Sequence, residues 1–331
     1  MITLLELFGG IGAPRAALLE LGVSFSVLDY VEINPVAVKA YNALYSESYS
    51  PTDIRTWKKR SLRGKVDILV HGSPCQDFSI GGNQSGGEAG TNTRSSLLWV
   101  SANIVKNLMP SVVVWENVPN VLSKKHKPTL KKYWEYLEAL GYRNQTFLIN
   151  SVECGACQSR LRCFVISNRI GGTVRLKKPK GQHPCLKDIC AAKADNRYYI
   201  PREHFEWFLR HGKSPTQGKT GLIRAGTFYR YGSPYLRCSR ARVYSLEGVS
   251  PTITTFVPPM VEFPDGIREL TPEECLRVQG FSEKQVDVLS GLGLKDSELY
   301  LLAGNTMSIE TMKCVLGESS LFWRICNAAF E

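Results

Sequence analysis

The architecture of this protein is set by the run Ile2-Thr3-Leu4-Leu5-Glu6-Leu7-Phe8-Gly9-Gly10-Ile11-Gly12. The first part of the run is apolar, as in a buried strand, and the last part is a glycine-rich turn. Ala13–Leu21 follows with the apolar spacing of a helix. A strand, a glycine turn and a helix in this order predict the start of an α/β sheet, with room for a ligand close to the turn backbone.

Strand and helix patterns alternate through the first half of the chain. The predicted strands are Ser26–Val31, Val66–Val70, Val112–Trp115, Phe147–Asn150 and Cys163–Ser167, and the predicted helices are Pro35–Leu44, Leu97–Leu108 and Lys131–Leu140. Asn34 is placed to cap the helix that follows it. The alternation predicts a mostly parallel sheet with helices on both faces, where ligands bind at the carboxyl ends of the strands. Helical patterns return at Thr271–Gln279, with Thr271 and Glu274 spaced as a capping box, and at Ser308–Leu316.

Positive charge is concentrated in one segment of the 331-residue chain. The net charge is +11, yet residues 169–250 alone hold 17 lysines and arginines against 5 acidic residues. Tyrosine, phenylalanine and tryptophan are interleaved there, and helix and strand signals are weak. We interpret the segment as an inserted small domain whose charge attracts phosphate. The alternative is a solubilising insert.

Ten cysteines are scattered through the chain, with no secretory signal at the N-terminus. That pattern is typical of free thiols in a reducing, cytoplasmic compartment. No apolar run approaches the roughly 20 residues that a membrane helix needs. The composition therefore favours a globular protein without a membrane partner.

The glycine turn differs from the dinucleotide fingerprint, because Gly10-x-Gly12 is followed three residues later by Arg15. Glu32 ends the second predicted strand, where a carboxylate can accept both hydroxyls of a ribose. Asp53-Ile54 follows and is placed to bind an adenine amino group. The combination favours an adenosine ligand without a pyrophosphate, such as S-adenosylmethionine, over NAD.

A candidate nucleophile, Cys75, lies in the run Gly72-Ser73-Pro74-Cys75-Gln76 after a predicted strand. A free cysteine is most often a small buried hydrophobe. A position between proline and glutamine in a polar loop favours a reactive thiol instead, because a thiolate is a strong nucleophile near neutral pH. The glycine-dense Asp77–Thr93 that follows is typical of a mobile lid or of a simple linker.

Charged residues follow two further predicted strands. Glu116 ends Val112–Trp115, where it serves as an acid, as a hydrogen-bonding group or as a structural cap. Arg160 and Arg162 precede Cys163–Ser167 at a spacing of two, which directs both to one side of an extended chain. They are suited to hold an anion, a base carbonyl or a carboxylate partner.

These motifs, in this order, resemble those of the DNA cytosine-5 methyltransferases over nearly the full chain. The motifs that carry the resemblance are Leu7–Gly12, Glu32, Asp53, Gly72–Ser79 around Cys75, Glu116-Asn117-Val118, Gln158-x-Arg160-x-Arg162, Pro251–Thr255, Arg268–Phe281 and Gly304–Ser308. The resemblance implies a Rossmann-like S-adenosylmethionine-dependent methyltransferase sheet with an inserted small target-recognition domain. It implies a catalytic domain of residues 1–167 plus 252–331 and a target-recognition domain of residues 168–251.

The resemblance also implies roles for single residues. Cys75 attacks carbon 6 of a cytosine flipped out of duplex DNA, Glu116 contacts the ring nitrogen and amine, Arg162 contacts the base carbonyl, and Arg160 supports the site. The residues implied to line the S-adenosylmethionine pocket are Phe8, Gly10, Gly12, Glu32, Ile33, Asp53, Ile54, Pro74, Leu97 and Asn305. Because Asn305 lies late in the chain, the C-terminal helix is expected beside the first strand. The implied setting is a monomer acting on nucleoid DNA of a bacterial or phage-infected cell, with no metal at the site, in the manner of restriction-modification enzymes.

Departures from the family pattern are few. Glu6 stands where aspartate is frequent, Cys157 where proline is frequent, and Gly81 where some relatives have a side chain that fills the gap left by the flipped base. The residue that fills the gap here stays open.

Four alternatives were weighed against this hypothesis. Cys154-x-x-Cys157 has zinc-like spacing, with His183, Cys185 and Cys190 downstream. A tRNA cytosine-5 methyltransferase of the same fold is disfavoured by the large basic insert. A protein that only binds DNA is disfavoured by the presence of both Cys75 and Glu116. An amino-methylating enzyme is disfavoured because Ser73-Pro74 is followed by cysteine and not by a second proline and an aromatic residue.

Overall fold

A computed structural model gives the structure of the protein and describes residues 1–58, 62, 64–74, 96–176, 178–179, 181, 183–210, 220–228 and 241–317. Its contacts separate two compact units. The first consists of Met1–Ile149, Leu161–Lys178 and Met312–Glu331, and the second of Asn150–Arg160 and Pro179–Thr311. The predicted domain boundaries at 167/168 and 251/252 stay a prediction, since the second unit extends from the basic segment through Thr311.

The first unit is built on a six-stranded sheet with the order β2-β1-β3-β4-β6-β5. Its strands are β1 (Ile2–Leu7), β2 (Phe25–Val31), β3 (Ile68–His71), β4 (Val112–Asn117), β5 (Arg143–Asn150) and β6 (Leu161–Asn168). β1 runs parallel to β2 and β3, and β3 runs parallel to β4. β6 runs antiparallel to β4. The α/β fold class is thus confirmed, and the sheet is mixed.

Helices α1 to α4 connect the strands of this sheet. They are α1 (Ala13–Glu20), α2 (Pro35–Tyr45), α3 (Leu97–Leu108) and α4 (Lys127–Ala139). The predicted cap of α2 is confirmed, since Asn34 Oδ1 accepts a hydrogen bond of 2.9 Å from Val36 N. Proline at the first position of α2 loses no hydrogen bond there and has a suitable φ angle.

The core of the first unit lies around the central strands. Leu5, Leu69, Val113 and Trp115 are buried in one apolar cluster. These strands are apolar on both faces because helices cover both faces, which accounts for the continuous apolar runs seen in the sequence.

The second unit contains a five-stranded sheet with the order β11-β10-β9-β8-β7. Its strands are β7 (Phe208–Arg210), β8 (Arg224–Phe228), β9 (Arg242–Ser245), β10 (Met260–Phe263) and β11 (Gly266–Glu269). Strand signals are weak in the sequence because each strand has only three to five residues. Phe228, Val243, Met260 and Ile267 form its small core.

Three helices of the second unit follow this sheet, and α8 ends the described chain. The three helices are α5 (Pro272–Val278), α6 (Glu283–Ser290) and α7 (Asp296–Asn305), and α8 covers Ile309–Leu316. The predicted capping box of α5 is confirmed, since Glu274 Oε2 accepts from Thr271 N at 2.8 Å and Thr271 Oγ1 accepts from Glu274 N at 3.3 Å.

The C-terminal half of α8 packs in the first unit. Lys313 Nζ lies 2.9 Å from Glu20 Oε2, at the end of α1. A Cβ atom added to Gly317 would lie 2.4 Å from Leu21. The expected return of this helix thus reaches α1, the helix that follows the first strand. Within the described part of the chain, no helix is long and apolar enough to cross a membrane.

Candidate active site

The turn after β1 has an unusual backbone. Phe8, Gly10 and Gly12 all have positive φ angles, of 54°, 54° and 75°. A non-glycine residue in that region is strained, and such strain is concentrated at functional sites. A Cβ on Gly12 would lie 2.6 Å from the ring of Tyr45, whereas a Cβ on Gly10 would meet no atom within 4 Å. The turn is therefore packed on one side and open at Gly10.

Glu32 holds the open side of this turn. Its Oε2 accepts from Gly10 N at 3.1 Å, and its Oε1 accepts from Asn34 N at 2.9 Å. Each carboxylate oxygen has a second lone pair available for a ligand hydroxyl. The neighbouring Ile33 is 59% exposed, which is unusual for an isoleucine and offers an apolar surface beside the carboxylate.

Asp53 and Ile54 are tied to the end of β2 through a hydrogen bond of 2.7 Å from Thr52 N to Glu32 O. Ile54 is buried, and the carboxylate of Asp53 accepts from Arg55 Nε at 3.0 Å. The hydrogen bonds from Arg55 lower the pKa of Asp53, so it is ionised near neutral pH. This arginine partner was not predicted from the sequence.

The chain before the candidate nucleophile is anchored to β4. Trp115 Nε1 donates to Ser73 Oγ at 2.9 Å, and Asn117 Nδ2 donates to Ser73 O at 3.2 Å. Pro74 follows and is half-buried, as is Leu97 at the start of α3. Cys75, the loop Asp77–Thr93 and Gly81 lie outside the described residues.

Glu116 and Arg162 meet across two antiparallel strands. Glu116 pairs in register with Phe164 of β6, and Arg162 Nε lies 3.1 Å from Glu116 Oε1. The two side chains are only 14% and 17% exposed. Arg162 was predicted to hold an anion, a base carbonyl or a carboxylate partner. In the structure it binds a carboxylate, that of Glu116. A partly buried ion pair of this kind fixes both groups in orientation.

Cys163 lies on β6 close to this ion pair and is a second thiol to consider. It is buried, and burial, with a further contribution from the charge of Glu116, raises its pKa to about 12. It remains a thiol at neutral pH and has little nucleophilic character.

Arg160 belongs to the second unit and is buried there. Its guanidinium donates to Ile253 O at 2.9 Å, to Gly304 O at 3.0 Å and to Thr306 O at 3.1 Å. Asn305, the residue between the last two carbonyls, is exposed at the end of α7. Arg160 therefore fixes the backbone on both sides of Asn305.

A chain of buried amides supports the same region. Gln158 Nε2 donates to Gln279 Oε1 at 3.0 Å, and Gln279 Nε2 donates to Ala303 O at 2.6 Å. Gln158 Oε1 accepts from Ile253 N at 3.0 Å. The sequence places both glutamines in family motifs, but it does not predict that they hydrogen-bond to each other and to the backbone of this region.

Comparison with known proteins was made on the whole chain. The sequence model of the C-5 cytosine-specific DNA methylases matches residues 2–319. The chain belongs to this family. It is an enzyme of the DNA (cytosine-5-)-methyltransferase class.

The methyltransferase is similar to characterised members in sequence and in structure. It is 28% identical over 272 residues to orphan methyltransferase M.SssI of Spiroplasma monobiae, covering 80% of this chain and 68% of the relative. It is 24% identical over 372 residues to type II methyltransferase M2.ScrFI of Lactococcus lactis subsp. cremoris, covering 96% and 99%.

Among solved structures, the methyltransferase EhMeth of Entamoeba histolytica matches with a TM-score of 0.74 at 16% identity, covering 100% of this chain and 99% of that one. Dnmt2 of S. pombe matches with a TM-score of 0.72 at 17% identity, covering 99% and 100%. Likeness at such identities establishes the fold.

A group of aromatic residues behind the glycine turn of this methyltransferase was not predicted from its sequence. We name Tyr30, Tyr41 and Tyr45 the tyrosine cradle. Tyr30 and Tyr41 are stacked with ring centroids 3.8 Å apart, and Tyr41 and Tyr45 are 4.7 Å apart. The spacing of four between Tyr41 and Tyr45 on α2 was the available signal, because residues at that spacing lie on one helix face.

The zinc hypothesis for the methyltransferase has no support among the described residues. Cys157, Cys185 and Cys190 are free thiols. Within the described ranges, no group of three or more His, Cys, Asp or Glu residues is arranged to hold a metal ion. Burial raises the pKa of Cys157 to about 12.

Proposed function

We propose that this enzyme transfers a methyl group from S-adenosylmethionine to carbon 5 of a cytosine flipped out of a specific duplex DNA sequence, through a transient bond between Cys75 and carbon 6. The observation that carries the proposal is the Glu116–Arg162 ion pair, 3.1 Å long, at the end of β4. From the same strand end, Asn117 anchors Ser73, two residues before Cys75. A carboxylate, a guanidinium and the approach to a cysteine thus converge at one edge of the sheet.

The residues of the glycine turn fit an adenosyl ligand. The open space at Gly10, the carboxylate of Glu32 with its remaining lone pairs and the exposed Ile33 supply room, hydrogen-bond acceptors and an apolar surface. In the proposal Phe8, Gly12, Asp53, Ile54, Pro74, Leu97 and Asn305 complete the pocket. When bound, S-adenosylmethionine supplies an electrophilic methyl group.

The roles of the protein side chains follow from the chemistry of cytosine. Carbon 5 is a poor nucleophile until the Cys75 thiolate adds to carbon 6 and converts the ring to an enamine. Arg162 contacts Oε1 of Glu116, and we assign the other oxygen, Oε2, to the base: it accepts from the amine, and Glu116 acts as the acid that gives a proton to the ring nitrogen as the thiolate adds. After carbon 5 is methylated, a base removes the proton from carbon 5 and the thiolate leaves from carbon 6, which restores the aromatic ring.

Duplex DNA is the substrate that the charge distribution supports. Residues 168–251 are proposed as the target-recognition domain, because a surplus of lysine and arginine in one segment suits phosphate contacts. Within this segment Arg224 on β8 and Arg242 on β9 are exposed. A tRNA substrate is the alternative outcome of the test below.

The test uses labelled S-adenosylmethionine with duplex DNA and with tRNA. We expect label in DNA only, and a stable protein–DNA adduct with duplexes that contain 5-fluorocytosine, since fluorine replaces the carbon 5 proton that a base must remove before the thiolate can leave. Cys75→Ala is expected to lose transfer and adduct while it still binds DNA. Cys185→Ser, which changes a thiol in the second unit, is the matched control and is expected to retain both. Transfer by Cys75→Ala at the wild-type rate, or label in tRNA alone, contradicts the proposal.

A further inference from the structure

The tyrosine cradle holds the glycine turn through backbone carbonyls. Tyr30 Oη donates to Gly10 O at 2.7 Å, and Tyr45 Oη donates to Gly12 O at 2.9 Å. A Cβ on Gly9 would lie 2.6 Å from the Tyr30 ring. The side of the turn that faces the cradle is therefore filled by aromatic side chains, and its carbonyls at Gly10, Ile11 and Gly12 lie within hydrogen-bond distance of tyrosine hydroxyls.

A buried carboxyl group lies among these rings. Glu6 on β1 is fully buried, and its Oε2 accepts from Tyr41 Oη at 2.7 Å. Within the described part of the chain, its Oε1 has no hydrogen-bond partner. Glu6 is also adjacent to the turn, since a Cβ on Gly9 would lie 3.3 Å from Glu6 Cβ.

Few charges compensate this carboxyl group. The groups that face it are the tyrosine cradle from β2 and α2, Arg15 from α1, and Tyr49, which follows α2. Arg15 Nη1 donates to Tyr41 Oη at 3.2 Å and to Glu47 Oε1 at 2.9 Å, so its charge is shared with a second carboxylate. Burial raises the pKa of Glu6 to about 7, because it outweighs the hydrogen bond from Tyr41, the charge of Arg15 and the backbone N–H of Arg15.

We propose that the tyrosine cradle and Glu6 are positioning residues for S-adenosylmethionine, and that protonated Glu6 favours the turn geometry that binds it. The inference rests on the proposed cofactor site at Gly10 and Gly12. It adds to that site a layer behind the turn and a dependence of cofactor affinity on pH.

The direction of the pH effect follows from the hydrogen bonds of Glu6. A neutral carboxyl tolerates one weakly solvated oxygen, whereas an ionised carboxylate without a donor on Oε1 is costly when buried. Ionised Glu6 therefore favours rearrangements that bring a donor to Oε1, and these compete with the packing of Tyr41 and Gly9. We expect the affinity for S-adenosylmethionine to fall as the pH rises through about 7.

The first experiment removes single hydroxyl groups and measures the Kd of S-adenosylmethionine by titration calorimetry on the full chain. Tyr30→Phe and Tyr45→Phe each lose one hydrogen bond to the turn, and we expect the Kd to rise about fivefold for each. Tyr49→Phe is the matched control. Its ring lies 5.3 Å from that of Tyr30, but no hydrogen bond joins its hydroxyl to the turn, and its Kd is expected to stay within twofold of wild type.

The second experiment follows the Kd from pH 6 to pH 8.5 in the wild type and in Glu6→Gln. We expect the wild-type Kd to rise at least threefold more than that of Glu6→Gln, in which this position no longer titrates. Titration of the ligand itself is common to both proteins and cancels in the comparison.

The outcomes separate this inference from the proposed function. If the wild type binds no S-adenosylmethionine at any pH, the cofactor proposal itself is wrong. If the wild type binds it while Tyr30→Phe and Tyr45→Phe match Tyr49→Phe, the cradle has no positioning role. If Glu6→Gln folds and keeps the wild-type pH profile, Glu6 is not the titrating group. If Glu6→Gln fails to fold, the Kd values of Tyr30→Phe and Tyr45→Phe still show whether the cradle positions the turn for S-adenosylmethionine.

Discussion

At the scale of single residues, burial decides which groups are chemically active. Glu116 and Arg162 are held in partial contact with solvent, whereas His71 at the end of β3 is fully buried. His71 Nε2 lies 3.2 Å from Tyr133 Oη, and burial lowers the pKa of His71 to about 3. It is therefore a neutral, structural group, two residues before the anchored Ser73, and it has no charge to offer to catalysis.

This histidine makes the protein sensitive to acid. Below the ordinary pKa of about 6.5, the unfolded chain binds a proton on His71 that the folded protein does not, so stability falls as the pH drops from about 6.5 towards 3. We expect His71→Gln to reduce the dependence of the unfolding free energy on pH between pH 4 and 6 by about 1.4 kcal/mol per pH unit. Denaturant unfolding at several pH values measures this slope.

Tyr133→Phe is the control for this prediction. It removes the hydrogen bond to His71 but leaves a buried imidazole, and burial is the cause of the shift. The variant should keep the wild-type slope. A slope that is unchanged in His71→Gln would show that acid sensitivity originates elsewhere.

At the scale of elements, Arg160 links segments that are distant in the sequence. Its guanidinium joins the loop at Ile253 to the end of α7 at Gly304 and Thr306. A planar group with several donors can satisfy three carbonyls at once, which a lysine ammonium on its flexible stem does less well. Arg160 therefore holds the end of α7 together with Gln279, which donates to Ala303 O.

Replacing Arg160 tests this link. We expect Arg160→Lys to lose two of the three carbonyl contacts and to reduce the unfolding free energy by about 2 kcal/mol. Amide hydrogen exchange should also become faster at Asn305 and Thr306. Arg277→Lys is matched, since Arg277 pairs with the exposed Glu283 in the same unit, and its cost should stay below about 1 kcal/mol. Equal costs for the two variants would contradict the special role of Arg160.

The elements also show what the sequence could and could not predict. β1 to β4 were predicted within a few residues because buried strands in an α/β sheet form continuous apolar runs. The sequence did not predict β10 and β11, because four-residue strands are defined by the strands they pair with and not by the hydrophobic pattern of their own residues. Glu116 and Arg162 were both singled out, but their contact depends on the antiparallel register of β4 and β6, which spacing along the chain does not reveal.

At the scale of the whole molecule, positive charge is concentrated in one segment of the sequence, residues 169–250. Several cations of the basic segment are already paired, such as Lys187 with Glu247 and Arg197 with Asp296. Arg224 and Arg242 are exposed and form no ion pair with any described residue. They are therefore suited to meet phosphate groups.

The salt dependence of DNA binding tests this assignment. We expect Arg224→Ala and Arg242→Ala each to reduce the slope of log K against log salt concentration by about 1, because each phosphate contact releases about one counterion. Lys131→Ala is the control, since Lys131 lies on α4 and pairs with Glu135. If all three variants keep the wild-type slope, phosphate contacts lie on other residues.

The burial of the thiols has a practical consequence for chemical labelling. Cys157 and Cys163, each with a pKa near 12, hold a thiolate fraction on the order of 10⁻⁵ at neutral pH, and Cys275 is fully buried. Electrophilic probes such as iodoacetamides should pass over these positions. In an alkylation assay on this protein these three positions would therefore contribute little signal, and the bound probe would report on the other cysteines.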